Sequence, residues 1–399
     1  MLSTFDLFLD FPEDLINLII YFTKCKVYDL CLVNKYFNNN SKKIKIIDNK
    51  KYPNLSDEHL KELVNLTSLN LKGDNTKLTR LGIKNLNNLI SLKVNEFNMT
   101  ICNSCVKTLT NLTSLEIKNN DLINGEAIKN LHKLNRLDIA GCNIIDKTVK
   151  NLTSLTYLDI SRNKFITNEG LKNLTHLRSL LLSFDDNISS IKYLTNLTYL
   201  NLHHNNKIID CEIKNLINLT DIHLGYNEII TDMGIEKLTN ITSITLNGND
   251  KISKNGLRNL TNITSIALNS NNKIKENFLF KIKNLKSLDI GLDNNITDIG
   301  LQKLTNLTYL DTSENSVITD NGVQKLINLV TLKIYENVSI TNEGIKNLTN
   351  LNYLELSYNI TNQGIEHLTN LKILKVWDNE LITHEIIEYL PKLEKLLII

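Results

Sequence analysis

The stretch Ile241-Thr242-Ser243-Ile244-Thr245-Leu246-Asn247-Gly248-Asn249 decides the architecture. Ile244 and Leu246 alternate with polar residues, and period two places one set of side chains inward and the other outward on a short strand. The same phrase, Leu-x-x-Leu-x-Leu-x-x-Asn, returns along most of the chain. Its second apolar position falls at Leu69, Leu92, Leu115, Leu137, Leu158, Leu180, Leu200, Ile222, Ile244, Ile266, Leu288, Leu310, Leu332, Leu354, Leu374 and Leu396. These sixteen markers span 327 residues, a mean repeat of 21.8. Self-similarity at that period means that each unit is one supersecondary element stacked on its neighbours.

The half of the unit that leads back to the next strand reads Ile230-Thr231-Asp232-Met233-Gly234-Ile235-Glu236-Lys237-Leu238. Apolar spacing of three to four there predicts a short helix, with Thr231 or Asp232 capping its start. A unit this small cannot bury its apolar side alone, so successive strands are expected in one parallel sheet. Five residues past the marker stand Asn120, Asn163, Asn205, Asn227, Asn249, Asn271, Asn315, Asn337, Asn359 and Asn379, ten Asn in fifteen complete units. Asp74, Asp185, Asp293, Cys142 and Phe97 fill the other five. Where the chain leaves the strand, an amide with both donors and acceptors can satisfy backbone groups of adjacent coils, so this ladder reads as structural. Phe97 cannot do that and marks an irregular coil.

From about Leu60 to Ile399 the chain resembles leucine-rich-repeat proteins. The recurring Ile-Thr-Asp/Asn-x-Gly, as at 296–300, 318–322 and 340–344, is similar to the cysteine-containing subclass found in F-box proteins, although the ladder here is mostly Asn. The resemblance implies an α/β solenoid: a curved horseshoe with a parallel sheet on its concave face and short helices on its convex face. Residues 51–399 then form about 15 complete repeats plus a final strand, and residues 1–50 a separate helical module.

That amino-terminal module contains Phe11-Pro12-Glu13-Asp14-Leu15-Ile16-Asn17-Leu18-Ile19 and then Leu30, Val33 and Phe37. Pro12 suits a first helical turn, and Leu15, Ile19 and Phe22 share one helical face. The segment resembles an F-box. The resemblance implies docking on the Skp-type adaptor of a cullin-RING ubiquitin ligase, with Phe11, Pro12, Leu15, Ile16, Ile19 and Val33 near the contact and the repeats holding a protein substrate. The simpler reading is that these helices cover the open end of the solenoid.

With 45 Lys and Arg against 43 Asp and Glu, the net charge of +2 gives no broad attraction to nucleic acid or anionic lipid, and neither is expected as a partner. Asp6, Asp10, Glu13 and Asp14 within the first apolar stretch, with no preceding basic residue, do not read as a signal peptide. An intracellular protein, cytoplasmic or nuclear, is expected, and six cysteines are too sparse for a disulfide framework. Sequons such as Asn65-Leu66-Thr67 and Asn111-Leu112-Thr113 fall out of the repeat and read as structural.

No phosphate-cradling loop, nucleophile elbow or metalloprotease helix occurs, so neither catalysis nor a cofactor is expected. Outward strand positions bring His203, His204 and His223 together beside Asp221, a constellation that reads as an ordinary polar surface before it reads as a metal site and whose three histidines are expected among the partner-binding residues of the concave face. Asp138/Asp159 and Asp289/Asp311 are ladder neighbours and read as solvated acidic patches. Tyr335, Tyr358 and Trp377, on three successive coils among Lys333, Lys375, Glu336 and Asp378, are the best candidates for a partner site. Cys102-Asn103-Ser104-Cys105 has the spacing of half a zinc site or of a redox pair, and reads as packing. The function expected is substrate recruitment to an SCF-type ligase, with a stand-alone binding scaffold or effector as the alternative.

Overall fold

The computed structural model describes residues 45–48, 55–61, 63–71, 78–94, 101–185, 187–292 and 295–399. The chain divides into two compact units, residues 1–196 and 197–399. In the first, the strands are β1 (Ile46–Asp48), β2 (Ser68–Leu71), β3 (Ser91–Val94), β4 (Ser114–Ile117), β5 (Arg136–Asp138), β6 (Tyr157–Asp159) and β7 (Ser179–Leu181). Between them lie α1 (Asp57–Lys61), α2 (Arg80–Ile83), α3 (Asn103–Val106), α4 (Gly125–Ile128), α5 (Asp146–Val149) and α6 (Asn168–Leu171). All strand pairings are parallel and each marker sits beside the next, as in Leu69↔Leu92 and Leu137↔Leu158. β1 pairs with β2. The sheet therefore starts ahead of residue 51, in the segment expected to be helical.

The second unit repeats the scheme with β8 (Tyr199–Asn201), β9 (Asp221–His223), β10 (Ser243–Thr245), β11 (Ser265–Ala267), β12 (Ser287–Asp289), β13 (Tyr309–Asp311), β14 (Thr331–Ile334), β15 (Tyr353–Ser357), β16 (Ile373–Trp377) and β17 (Lys395–Ile398). Its helices are α7 (Asp210–Ile213), α8 (Asp232–Ile235), α9 (Lys254–Leu257), α10 (Glu276–Leu279), α11 (Asp298–Leu301), α12 (Asp320–Val323), α13 (Asn342–Ile345) and α14 (Asn362–Ile365), followed by a 3₁₀ turn at His384–Glu388. Register is again marker to marker, from Leu200↔Ile222 to Leu374↔Leu396. From β2 to β16 the markers and the apolar residues two further on are buried, as Leu137 with Ile139 and Leu332 with Ile334 are, whereas on β17 Leu396 is half-buried and Ile398 exposed. Each unit is thus a stack of coils sealed by Leu and Ile, the leucine-rich-repeat solenoid.

The asparagine ladder works as an inter-coil clamp. Asn249 Nδ2 donates to Leu224 O and Asn227 O of the preceding coil, both at 2.9 Å, while its Oδ1 accepts from Lys251 N and Ile252 N at 3.0 Å. Asn227 and Asn271 repeat the arrangement, and Asn163 varies it by donating to Cys142 O and Ile144 O. Cys142 substitutes with a thiol donating to Ile117 O at 2.8 Å. Asn359 does not join the buried ladder and is exposed. The interval from Leu354 to Leu374 is two residues shorter than the preceding one, so the chain reaches its next core residue, Ile360, too early for the amide to turn inward. Asp74, Asp293 and Phe97 lie outside the described residues.

A second clamp explains the Thr-Asp-x-Gly phrase. Thr231, not Asp232, caps α8, its Oγ1 accepting from Met233 N at 3.3 Å. Asp232 reaches forward instead: its Oδ1 accepts from Ser253 N at 2.7 Å and its Oδ2 from Ser253 Oγ at 2.6 Å, one coil on. Asp146, Asp210, Asp298 and Asp320 hold the next coil's Thr167, Thr231, Thr319 and Thr341 in the same way. Glycine is required where that carboxylate lies, since a Cβ on Gly256 would stand 2.5 Å from Asp232 Oδ1 and 2.9 Å from its Cα. Asp232→Ala is expected to cost about 1.5–3 kcal/mol in urea unfolding, the range for hydrogen bonds to a charged acceptor. Asp232→Asn should cost less, because Asn342 already serves Thr361 N at 3.0 Å and Thr361 Oγ1 at 2.9 Å.

The sequon asparagines act within this scheme as well. Asn111 Nδ2 donates to Asn87 O at 2.8 Å and Asn240 Nδ2 to Ile217 O at 2.9 Å, each holding the coil before it. Among the described residues no helix is long and apolar enough to cross a membrane.

Candidate functional site

Side chains at the positions flanking each marker, and three beyond it, are not needed by the core and form the strand face. The residue after them takes a left-handed backbone in most coils, as at Asn119, Arg162, His204, Tyr226, Glu336, Tyr358 and Asp378. L-residues adopt that conformation at some cost, and here it turns the chain out of the strand and projects these side chains outward.

In the second unit the face culminates on β14 to β16. Tyr335 and Trp377 straddle the buried Ser357 and meet edge to face with ring centroids 5.6 Å apart. Glu355 is the hub beneath them. It accepts from Trp377 Nε1 at 2.9 Å and from Tyr353 Oη at 2.7 Å, with Lys375 Nζ at 3.8 Å. Tyr335 Oη donates to Glu336, and that bond, followed by burial, pushes its phenol up to about 12. Tyr358 is 39% exposed at its left-handed position. Sequence reasoning singled out the aromatics but passed over Glu355, which accepts from Trp377, and Tyr353, which donates to Glu355. The signal was present in the row of residues that follow the markers, Asp289, Asp311, Lys333, Glu355 and Lys375, where acidic and basic side chains stand in adjacent coils.

Further along the same unit His203, His204 and Tyr226 form an aromatic group. His204 stacks on Tyr226 at 4.8 Å and 3°, and His203 meets both rings at steep angles. Gly225 leaves room for His203, since a Cβ there would lie 2.6 Å from Nδ1. Burial, then the charges of His204 and His223, lower the His203 pKa. His223 turns away to Asp221 Oδ1 at 3.1 Å and to the Tyr199 ring at 5.2 Å. The three histidines therefore split into two contacts. Among the described residues no group of three His, Cys, Asp or Glu is placed to hold a metal.

The acidic pairs are not the solvated patches expected. In the first unit Asp138 and Asp159 are 1% and 4% exposed, and Glu116 beside them 5%. Lys118 Nζ lies across all three, 3.1 Å from Asp138, 3.9 Å from Asp159 and 4.0 Å from Glu116. Arg136 and Tyr157 close the edge, the guanidinium 3.4 Å from the ring centroid. Burial, then the Asp159 charge, pushes the Asp138 carboxyl up to about 6, with Lys118 opposing. In the second unit burial and Asp311 push Asp289 up to about 6 in the same way.

Because the folded pKa of Asp138 lies above its ordinary value, the native state takes up a proton as pH falls from about 6 to about 4. The group therefore weakens the fold above pH 6, by about 3 kcal/mol, and that loss is relieved on acidification. Asp138→Asn is expected to raise the urea midpoint at pH 7.5, with the gain over the parent shrinking towards pH 4.5. A parent chain more stable than the variant at pH 7.5 would contradict this.

Phe11, Pro12, Leu15, Ile16, Ile19 and Val33, the residues expected to contact an adaptor, lie outside the described residues.

The coil geometry agrees with comparisons to known proteins. Residues 151–175, 215–239, 281–304 and 303–327 match the Leucine Rich repeat family. The chain is similar to an internalin of Listeria monocytogenes, with 29% identity and a TM-score of 0.50 over 73% of this chain and 88% of that one. It is also similar to a leucine-rich-repeat protein of Leptospira interrogans, with 24% identity and a TM-score of 0.51 over 86% of this chain and 98% of that one. No curated protein matches it. Fold and repeats together define a leucine-rich-repeat chain, and such repeats suggest a protein–protein interaction scaffold.

Proposed function

We propose that this chain is a non-catalytic scaffold that holds a protein partner on the strand face of its second unit, around Tyr335, Tyr358 and Trp377. The observation that carries this reading is the Tyr335–Trp377 pair. Two large rings stand on a face where neither serves the core, Trp377 held by Glu355 and Tyr335 by Glu336, with Lys333 on β14 and Lys375 on β16. Rigid aromatics inside a charged rim are what interface hot spots are made of. His203, His204, Tyr226 and His223 supply a second, more polar contact further along the face. The test is capture from extract by the immobilised chain: a partner retained by the intact protein and lost on Tyr335→Ala, Trp377→Ala supports the reading, and retention by both overturns it.

The finer reading is the substrate-recognition subunit of an SCF-type ubiquitin ligase. Its support is the amino-terminal pattern of Phe11, Pro12, Leu15, Ile16 and Ile19 followed by Val33, placed ahead of repeats that offer a binding face. In that reading the amino-terminal segment binds a Skp-type adaptor and the strand face binds the target. The discriminating experiment is a pulldown of such an adaptor by the full chain and by a Leu15→Asp, Ile19→Asp variant of unchanged circular dichroism. Binding lost only in the variant favours the ligase role. A folded chain that does not bind the adaptor leaves the stand-alone scaffold or effector.

A further inference from the structure

Most described coils carry Thr or Ser at the helix cap and Gly three residues later, as in Thr79/Gly82, Thr231/Gly234 and Ser253/Gly256. The coils capped by Asn124, Ile145, Ile209 and Lys275 depart from this, and so does one coil of the first unit that has Cys102 and Cys105 at the two positions. Cys102 caps α3 in an extended conformation and makes no side-chain cap hydrogen bond. Cap and third-residue side chains face one another at a helix start, and here the two sulfurs lie 4.0 Å apart. Glycine is dispensable at position 105 because the preceding coil offers Arg80 where other coils offer the reaching Asp, and the Cys105 thiol points to Arg80 O at 3.8 Å.

The two thiols are unequal. Cys102 is half-buried, with Ser104 Oγ 3.2 Å from its sulfur, whereas Cys105 is fully buried. We propose that Cys102 and Cys105 are a reversible dithiol–disulfide pair that reacts with small-molecule disulfides of the glutathione type, Cys102 attacking and Cys105 resolving. Cys102 gives its proton to solvent and its thiolate attacks one sulfur of the small disulfide; the bond between the two small-molecule sulfurs breaks, and the departing thiolate takes a proton from solvent. Cys105 then gives its proton to solvent, attacks Cys102 Sγ and expels the second small thiol. The protein loses two electrons, the small disulfide gains them, and two small thiols result.

Closing the sulfurs from 4.0 Å to bonding distance, about 2.05 Å, moves the Cys102 side chain off Ser104 Oγ. The Ser104 hydroxyl, as first cause, lowers the Cys102 thiol, and burial raises that of Cys105, the order that suits attack followed by resolution. Cys142 contrasts with both: it is locked into the inter-coil ladder, and burial pushes it up to about 11.

The test equilibrates the full chain in oxidised or reduced glutathione, alkylates it and maps the peptide containing residues 102–105. The expected result is an internal disulfide in oxidised glutathione, two alkylated thiols in reduced glutathione, and Cys102 alkylated at least about tenfold faster than Cys105. Cys105→Ser should accumulate glutathione on Cys102, while Cys102→Ser should accumulate none on Cys105. The mapping of the unsubstituted chain does not depend on either variant folding. Thiols that both remain alkylatable in oxidised glutathione, or a disulfide from either cysteine to Cys25 or Cys31, would overturn the proposal.

Discussion

Replacing Tyr335 and Trp377 together by alanine is expected to weaken partner binding by about 100-fold or more while leaving the unfolding midpoint nearly unchanged. A hot-spot aromatic contributes roughly 2 kcal/mol or more, and each 1.4 kcal/mol is tenfold in affinity. The two rings touch, so their losses should not simply add, and a double-mutant cycle should show coupling. The fold should tolerate the change because neither ring belongs to the buried core of Leu332, Ile334, Leu354, Leu356, Leu374 and Val376. Glu355→Gln provides the finer probe. It retains an oxygen acceptor for Trp377 Nε1 but removes the negative charge beside Lys375, so it should alter the salt dependence of binding more than its strength at high salt. Calorimetric titration of the captured partner measures both quantities.

The largest effect on stability is expected at the asparagine clamp. Asn249→Ala removes two donors and one doubly used acceptor at a site with no solvent access, leaving Leu224 O, Asn227 O, Lys251 N and Ile252 N without that partner. Each buried group left unpaired costs about 1–3 kcal/mol, so a loss of roughly 2–5 kcal/mol is expected after relaxation. That rivals truncating a core leucine to alanine. Asn249→Asp should be nearly as damaging, because it keeps the acceptor but turns a second oxygen toward two carbonyl oxygens. Asn359→Ala serves as the internal control. Its amide is exposed and donates to Val338 O alone, so the change should cost well under half as much. Equilibrium urea unfolding of the three variants decides the matter, and equal losses at Asn249 and Asn359 would contradict the clamp.

The difference between these two asparagines also indicates what could be read from sequence. The strand and its inward face were legible because Leu, Ile and Val at a fixed spacing determine burial coil by coil, with little dependence on the neighbours. The Asn359 exception lay in the spacing itself, for a deletion of two residues removes the depth that the amide needs. Asp232 was misjudged as a possible cap for its own helix because its partner Ser253 is 21 residues away, and only stacking brings the two together. The burial of Asp138 and Asp159 had the same origin. No single coil encloses a carboxylate, but Glu116, Lys118, Arg136 and Tyr157 from adjoining coils cover the pair. At the candidate site the aromatic side chains were evident, whereas the hub role of Glu355 required reading one strand position across three coils.

Site-specific photocrosslinking tests the central claim, that the strand face of the second unit binds a protein, most directly. A crosslinking amino acid is placed at Tyr335 in one protein and at Ile299 in another. Ile299 is 67% exposed on α11, among the helices of the same unit, and its replacement leaves the core intact. The expected result is a discrete crosslinked protein from position 335 that is absent from position 299 and is competed by unlabelled chain. Equal crosslinking from both positions, or a discrete product from 299 alone, would contradict it.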